Sequence, residues 1–115
     1  MDNFLTIDKG DVIIEVVNLV KATREQAEEF KSVLLKHIEE DKTKLIVDLH
    51  QCDFVDSTFL STLLIAQKAV MKKGGSLKIA SPRSDVAKVL EATGMGSVFD
   101  IHPNISDAIS SFNKL

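Results

Sequence analysis

The segment Lys44-Leu45-Ile46-Val47-Asp48-Leu49 has almost no polar alternation, and it lies between two stretches of helical periodicity. A strand reads this way when both of its faces are covered, because neither set of alternating side chains meets water. On its N-terminal side, over residues 24–40, Ala27, Phe30, Val33, Leu34 and Ile38 recur at helical spacing, while Glu25, Glu28, Glu29, Lys36 and Glu39 take the opposite face. On its C-terminal side a second helix is expected over residues 58–73, with Leu60, Leu63, Leu64, Gln67, Val70 and Met71 inward. Gly74 or Gly75 should stop that helix at a positive φ, and Lys72 and Lys73 should complement the negative end of its dipole.

A helix between two strands imposes parallel pairing through a right-handed crossover. The next strand follows over residues 76–79, where Leu77 and Ile79 alternate with Ser76 and Lys78. After Ser81-Pro82 comes a short helix carrying Val86, Val89 and Leu90 that ends near Gly94. A last strand over residues 98–101 and a terminal helix over 106–112, capped by Asn104 or Ser106, complete the chain. At the other end, residues 4–7 and 12–17 are β-rich runs joined through Asp8-Lys9-Gly10-Asp11, where Gly10 can adopt the left-handed conformation of a hairpin loop. The expected class is α/β: a mixed, mostly parallel sheet packed with helices, opened by an N-terminal antiparallel hairpin. The 115 residues match the usual size of one domain, so a single domain over residues 1–115 is expected.

Composition narrows the function. A formal charge of −3 with scattered basic residues, and no Trp or Tyr to stack on bases, argues against nucleic acid. The single Cys52 cannot form an internal disulfide and suits a reducing compartment, so the cytoplasm is expected. The start Met1-Asp2-Asn3-Phe4 lacks a basic, apolar leader and no stretch reads as a membrane span.

Catalytic groupings are missing. Gly94-Met95-Gly96 follows a helix rather than a strand, and reads as a helix stop instead of a phosphate-binding turn. His37, His50 and His102 have no paired spacing for a metal. Asp48, Asp53 and Asp56 cluster near the end of the third strand, but the second strand ends without the acidic pair of a phosphoaspartate receiver; Asp53 reads as a turn residue and Asp56 as a helix start. Ser57 has no neighbouring His to act as its base. No enzyme activity, cofactor or metal is expected.

The informative segment is Phe54-Val55-Asp56-Ser57-Thr58-Phe59-Leu60, which places three capping side chains where a helix needs one and leaves at least one hydroxyl free. Together with Leu45-Ile46-Val47-Asp48-Leu49, Lys73-Gly74-Gly75-Ser76-Leu77 and Val89-Leu90-Glu91-Ala92-Thr93-Gly94-Met95, it resembles the STAS family, and within it the anti-sigma-factor antagonists. That resemblance implies partner switching. The unphosphorylated protein would bind a serine-kinase anti-sigma factor, phosphorylation of Ser57 would release it, and a serine phosphatase would reset it. Thr58 is the fallback acceptor, and Asp56, Thr58, Phe59, Thr62 and Thr23 are implied as the surrounding partner-binding surface.

The family usually has glycines after the serine, where this chain has Phe59 and Ser61, and tends to carry glycine and aspartate where this chain has Val20 and Thr23. Phe59 could point outward beside Ser57 as a partner anchor, or turn under the loop near Val20. A STAS scaffold that is never phosphorylated, acting in assembly, is the alternative reading.

Overall fold

The computed structural model describes residues 2–113. Its first strands, β1 (Phe4–Asp8) and β2 (Ile13–Val17), form the antiparallel hairpin, in register from Phe4 opposite Val17 to Asp8 opposite Ile13. Gly10 turns the loop at φ 86° while its amide donates to Asp8 Oδ1 at 2.8 Å, the left-handed geometry that favours glycine. After β3 (Lys21–Ala22) comes α1 (Arg24–Glu39), then β4 (Lys44–Asp48), β5 (Phe54–Val55) and α2 (Ser57–Met71). The chain continues through β6 (Ser76–Ala80), α3 (Ser84–Ala92), a 3-10 turn (Met95–Ser97), β7 (Ile101–His102) and α4 (Ile105–Phe112).

Five strands make one sheet in the order β1-β2-β4-β6-β7, parallel throughout except for β1. The mixed, mostly parallel α/β class is therefore as the sequence indicates. β4 lies in the middle with Leu45 through Asp48 all buried, which is why its sequence lacks alternation. On one face α1, α2 and α3 cover the sheet through Phe30, Leu34, Leu60, Leu63, Val70, Val86 and Leu90 against Val17, Leu45, Val47, Leu77 and Ile79. On the other, α4 packs Ala108, with Ile105, Ile109 and Phe112, over Val12, Ile14, Val16, Ile46 and Ala80.

Three sequence expectations change and one pair of strands is new. The strand expected over residues 98–101 is mostly helical turn: Gly94 at φ 76° starts the 3-10 segment, Met95 and Phe99 are buried, Val98 faces out, and only Ile101 and His102 pair with β6. Met71, expected inward, is exposed at the last residue of α2. Lys73 does not serve the dipole of its own helix; its ammonium donates to the Ile38 carbonyl at 2.8 Å and contacts Asp41 Oδ1 at 3.0 Å, so it caps the C-terminal end of α1. The short strands β3 and β5, which the sequence reading did not find, form a separate parallel pair with Lys21 opposite Phe54 and Ala22 opposite Val55. Gly74 carries the expected positive φ, 79°, and Asn104 caps α4 by accepting from the Asp107 amide at 2.7 Å.

Candidate functional site

The β3–β5 pair places the starts of α1 and α2 side by side. Asp56, extended at φ −98° and ψ 172°, is the N-cap of α2. Its Oδ1 accepts from the Phe59 amide at 2.8 Å, and its Oδ2 accepts from the Arg24 amide, the first residue of α1, at 2.9 Å. One carboxylate thus satisfies orphan amides of two helices, and both positive helix ends converge on it. The Asp56 amide donates to the Ala22 carbonyl at 3.1 Å, fixing the cap to β3.

Because Asp56 takes the cap, Ser57 and Thr58 stand as the first two residues of α2 with exposed side chains. Ser57 has its carbonyl in use, accepting from Ser61 Oγ at 2.9 Å. An exposed hydroxyl at the positive end of a helix can be modified without opening the core, and a phosphate added there meets a favourable dipole.

Thr23 is the N-cap of α1, in a capping box: its hydroxyl accepts from the Glu25 amide at 3.3 Å and its own amide donates to Gln26 Oε1 at 3.0 Å. The structure therefore brings Thr23, Asp56, Ser57 and Thr58 together around one pair of helix starts.

Two residues expected at the partner surface do not belong to it. Phe59 is fully buried, its ring stacked on Phe30 at 4.5 Å between centroids, and Phe30 in turn on Phe4 at 5.0 Å. It fills the space between α2 and α1, the inward of the two alternatives, while Val20, the neighbour that alternative named, is exposed. Thr62 is buried with its hydroxyl donating to the Phe59 carbonyl at 2.6 Å, one turn behind the helix start. Neither side chain is accessible to a partner. In their place the surface presents Phe54, 46% exposed, and Val20, 59% exposed, which the sequence reading did not select. The only sequence signal for Phe54 is its alternation with the inward Val55, too short a pattern to stand out.

Most of the remaining candidate groups have local partners, while His102 has a buried Nε2 without one among the described residues. Asp48 is buried and accepts from the His50 amide at 3.0 Å, with its other oxygen 2.8 Å from His50 Nδ1. Asp53 lies 3.7 Å from Lys21, and His37 Nε2 lies 2.8 Å from the buried Glu15. Among the described residues no group of three or more His, Cys, Asp or Glu side chains is arranged to hold a metal.

The STAS domain profile matches residues 7–108. The chain belongs to the STAS family. Among its STAS relatives, the Bordetella bronchiseptica protein BtrV, provisionally named an anti-sigma factor antagonist, is 23% identical over 108 residues, covering 94% of this chain and 93% of BtrV. A Thermotoga maritima crystal structure with the same provisional name superposes with a TM-score of 0.88 at 24% identity, covering 96% of this chain and 95% of that one. The anti-sigma factor antagonist SpoIIAA in its unphosphorylated form gives 0.84 at 16% identity, with 97% of each chain covered. At these identities the structural matches establish the STAS fold.

Proposed function

We propose that this STAS protein is an anti-sigma-factor antagonist that works by partner switching. In its unphosphorylated state it binds a serine-kinase anti-sigma factor in the cytoplasm, freeing the sigma factor. Transfer of the γ-phosphoryl group of ATP to Ser57 Oγ releases the complex, and a serine phosphatase restores the hydroxyl. The chain is a binder and a substrate, not a catalyst. The observation that carries this reading is the exposed Ser57 hydroxyl, left outside a cap that Asp56 completes alone.

Electrostatics supply the release. A phosphoserine brings about −1.5 to −2 charges. Each unit charge placed about 6 Å from a like charge costs roughly 3 kcal/mol at an effective dielectric near 20. That is about a hundredfold in affinity, enough to dissociate a micromolar complex. Incubation with a serine-kinase anti-sigma factor from the same genome and ATP should add one phosphate by intact mass, stable to acid and to hydroxylamine and absent in Ser57→Ala. Ser57→Ala should bind that kinase constitutively and Ser57→Asp about a hundredfold more weakly. Equal affinities for the two folded variants would refute the switch; a phosphate on Thr58 alone would move the acceptor by one residue.

One observation favours the scaffold alternative. Thr23 is occupied in a capping box and offers a kinase no carboxylate at the position where the resemblance to anti-sigma-factor antagonists implies an aspartate. On that reading the protein assembles with partners and the kinase incubation leaves its mass unchanged.

A further inference from the structure

We infer that Phe54, seconded by Val20, is the apolar anchor by which the kinase-type anti-sigma factor holds this protein while it engages Ser57; this rests on the switching role proposed above. The β3–β5 pair determines which side chains face out. In its register Ala22 and Val55 form the inner row, both buried, and Lys21 and Phe54 form the outer row, both exposed. Successive side chains of a strand alternate between faces, so as long as Val55 fills the core Phe54 must face out. Large aromatic residues usually go inside, as the stacked phenylalanines Phe4, Phe30 and Phe59 do.

Phe54 is also held in place. Its amide and that of Asp53 both donate to the Val20 carbonyl, at 3.3 and 2.8 Å, and the Asp56 amide donates to Ala22. The backbones of Val20 and Phe54 are therefore joined on neighbouring segments braced at both ends, so little backbone ordering is left for a partner to impose. Lys21 lies 5.7 Å from the centre of the Phe54 ring, and its 3.7 Å contact with Asp53 is solvent-exposed and weak, leaving the ammonium available to an acidic group at the rim of the partner's pocket.

Continuity with Ser57 identifies the occupant. Ser57 lies three positions after Phe54, at most about 11 Å of extended chain. A kinase active site that receives the Ser57 hydroxyl must cover the surface around it on that scale, which includes Phe54. The partner's matching feature is an apolar pocket with an acidic rim, placed beside its nucleotide site.

The test is the affinity of the full-length unphosphorylated protein for a serine-kinase anti-sigma factor from the same genome, by calorimetry, alongside thermal melts. Phe54→Ala should weaken binding at least tenfold and Val20→Ala several-fold, with the melting midpoint unchanged. Leu5→Ala, which removes an exposed apolar side chain from β1, should bind like the parent. Phe54→Gln serves as a second variant should Phe54→Ala lower the midpoint. Parental affinity in both Phe54 variants overturns the anchor, even if Ser57→Asp still abolishes binding. Weak binding by Phe54→Ala together with equal affinities for Ser57→Ala and Ser57→Asp keeps the anchor and refutes the phosphorylation switch. No complex with the unmodified protein overturns both.

Discussion

Both oxygens of Asp56 are engaged by backbone amides that no intrahelical bond can satisfy, one on its own helix and one on α1. Asp56→Ala should therefore cost about 2 to 3 kcal/mol, more than the ~1 kcal/mol typical of a single lost cap, as read from the urea midpoint. Asp56→Asn keeps only one good acceptor and should fall between. A different kind of residue effect sits four positions earlier. Cys52 is fully buried, and that burial, reinforced by Asp48 and then Asp53, pushes its thiol up from 9.0 to about 12. The folded state therefore keeps the thiol proton above pH 9 while the unfolded chain gives it up. The contribution is fully present below about pH 9 and is lost as pH rises toward 12. Over that window stability should fall by about 1.4 kcal/mol per pH unit from this group. The chain has no Tyr, so between pH 9 and 10 few other groups interfere. Cys52→Ala should flatten the slope there in urea titrations, and the native thiol should resist a thiol-specific reagent at neutral pH until the protein is unfolded; a fast native reaction would contradict the burial argument.

At the scale of elements, the first turn of α2 is joined to α1 by the Phe59–Phe30 stack as well as by Asp56. Phe59→Ala should cost about 3 to 5 kcal/mol, since the ring leaves a cavity between two helices, and should leave the intrinsic affinity of the folded fraction for the kinase close to the parent's. A loss of affinity without loss of stability would return Phe59 to the interface. These elements also mark what could be read in advance. The hairpin, α1, β4, α2 and its Gly74 stop carry long periodic patterns or turn glycines, and local sequence determines them. The β3–β5 pair could not be read, because strands of two residues have no period and exist only through pairing across 33 positions. The site shared that limit. Asp56 and Ser57 were legible as a helix start, while the inward turn of Phe59 and the outward turn of Phe54 depend on which neighbour reaches the core first. Lys73 illustrates the same limit, since its position suggests its own helix end and its ammonium serves another.

Across the whole molecule, the helix starts that carry Ser57 lie on one face of the sheet, and the core on that face is complete without Ser57 or Thr58. α4 seals the opposite face separately, with the Lys78 ammonium 2.6 Å from Ser111 Oγ and 4.4 Å from the Phe112 ring. A charge added at Ser57 therefore has no packed element to dislodge. It gains from the positive end of α2, by about 0.3 to 1 kcal/mol at an exposed site, and loses a comparable amount to the adjacent Asp56 carboxylate through well-screened solvent. The two effects nearly cancel, so the net change in stability from Ser57→Asp should stay within about 1 kcal/mol. For a chain of this length that bounds the shift in melting midpoint at about 4 °C. Scattering should meanwhile return the same compact particle, whose Cα radius of gyration is 12.7 Å. A Ser57→Asp protein that melts far lower or scatters as an expanded chain would mean that modification acts by unfolding the domain, and the release of the partner would then need no like charge at the interface.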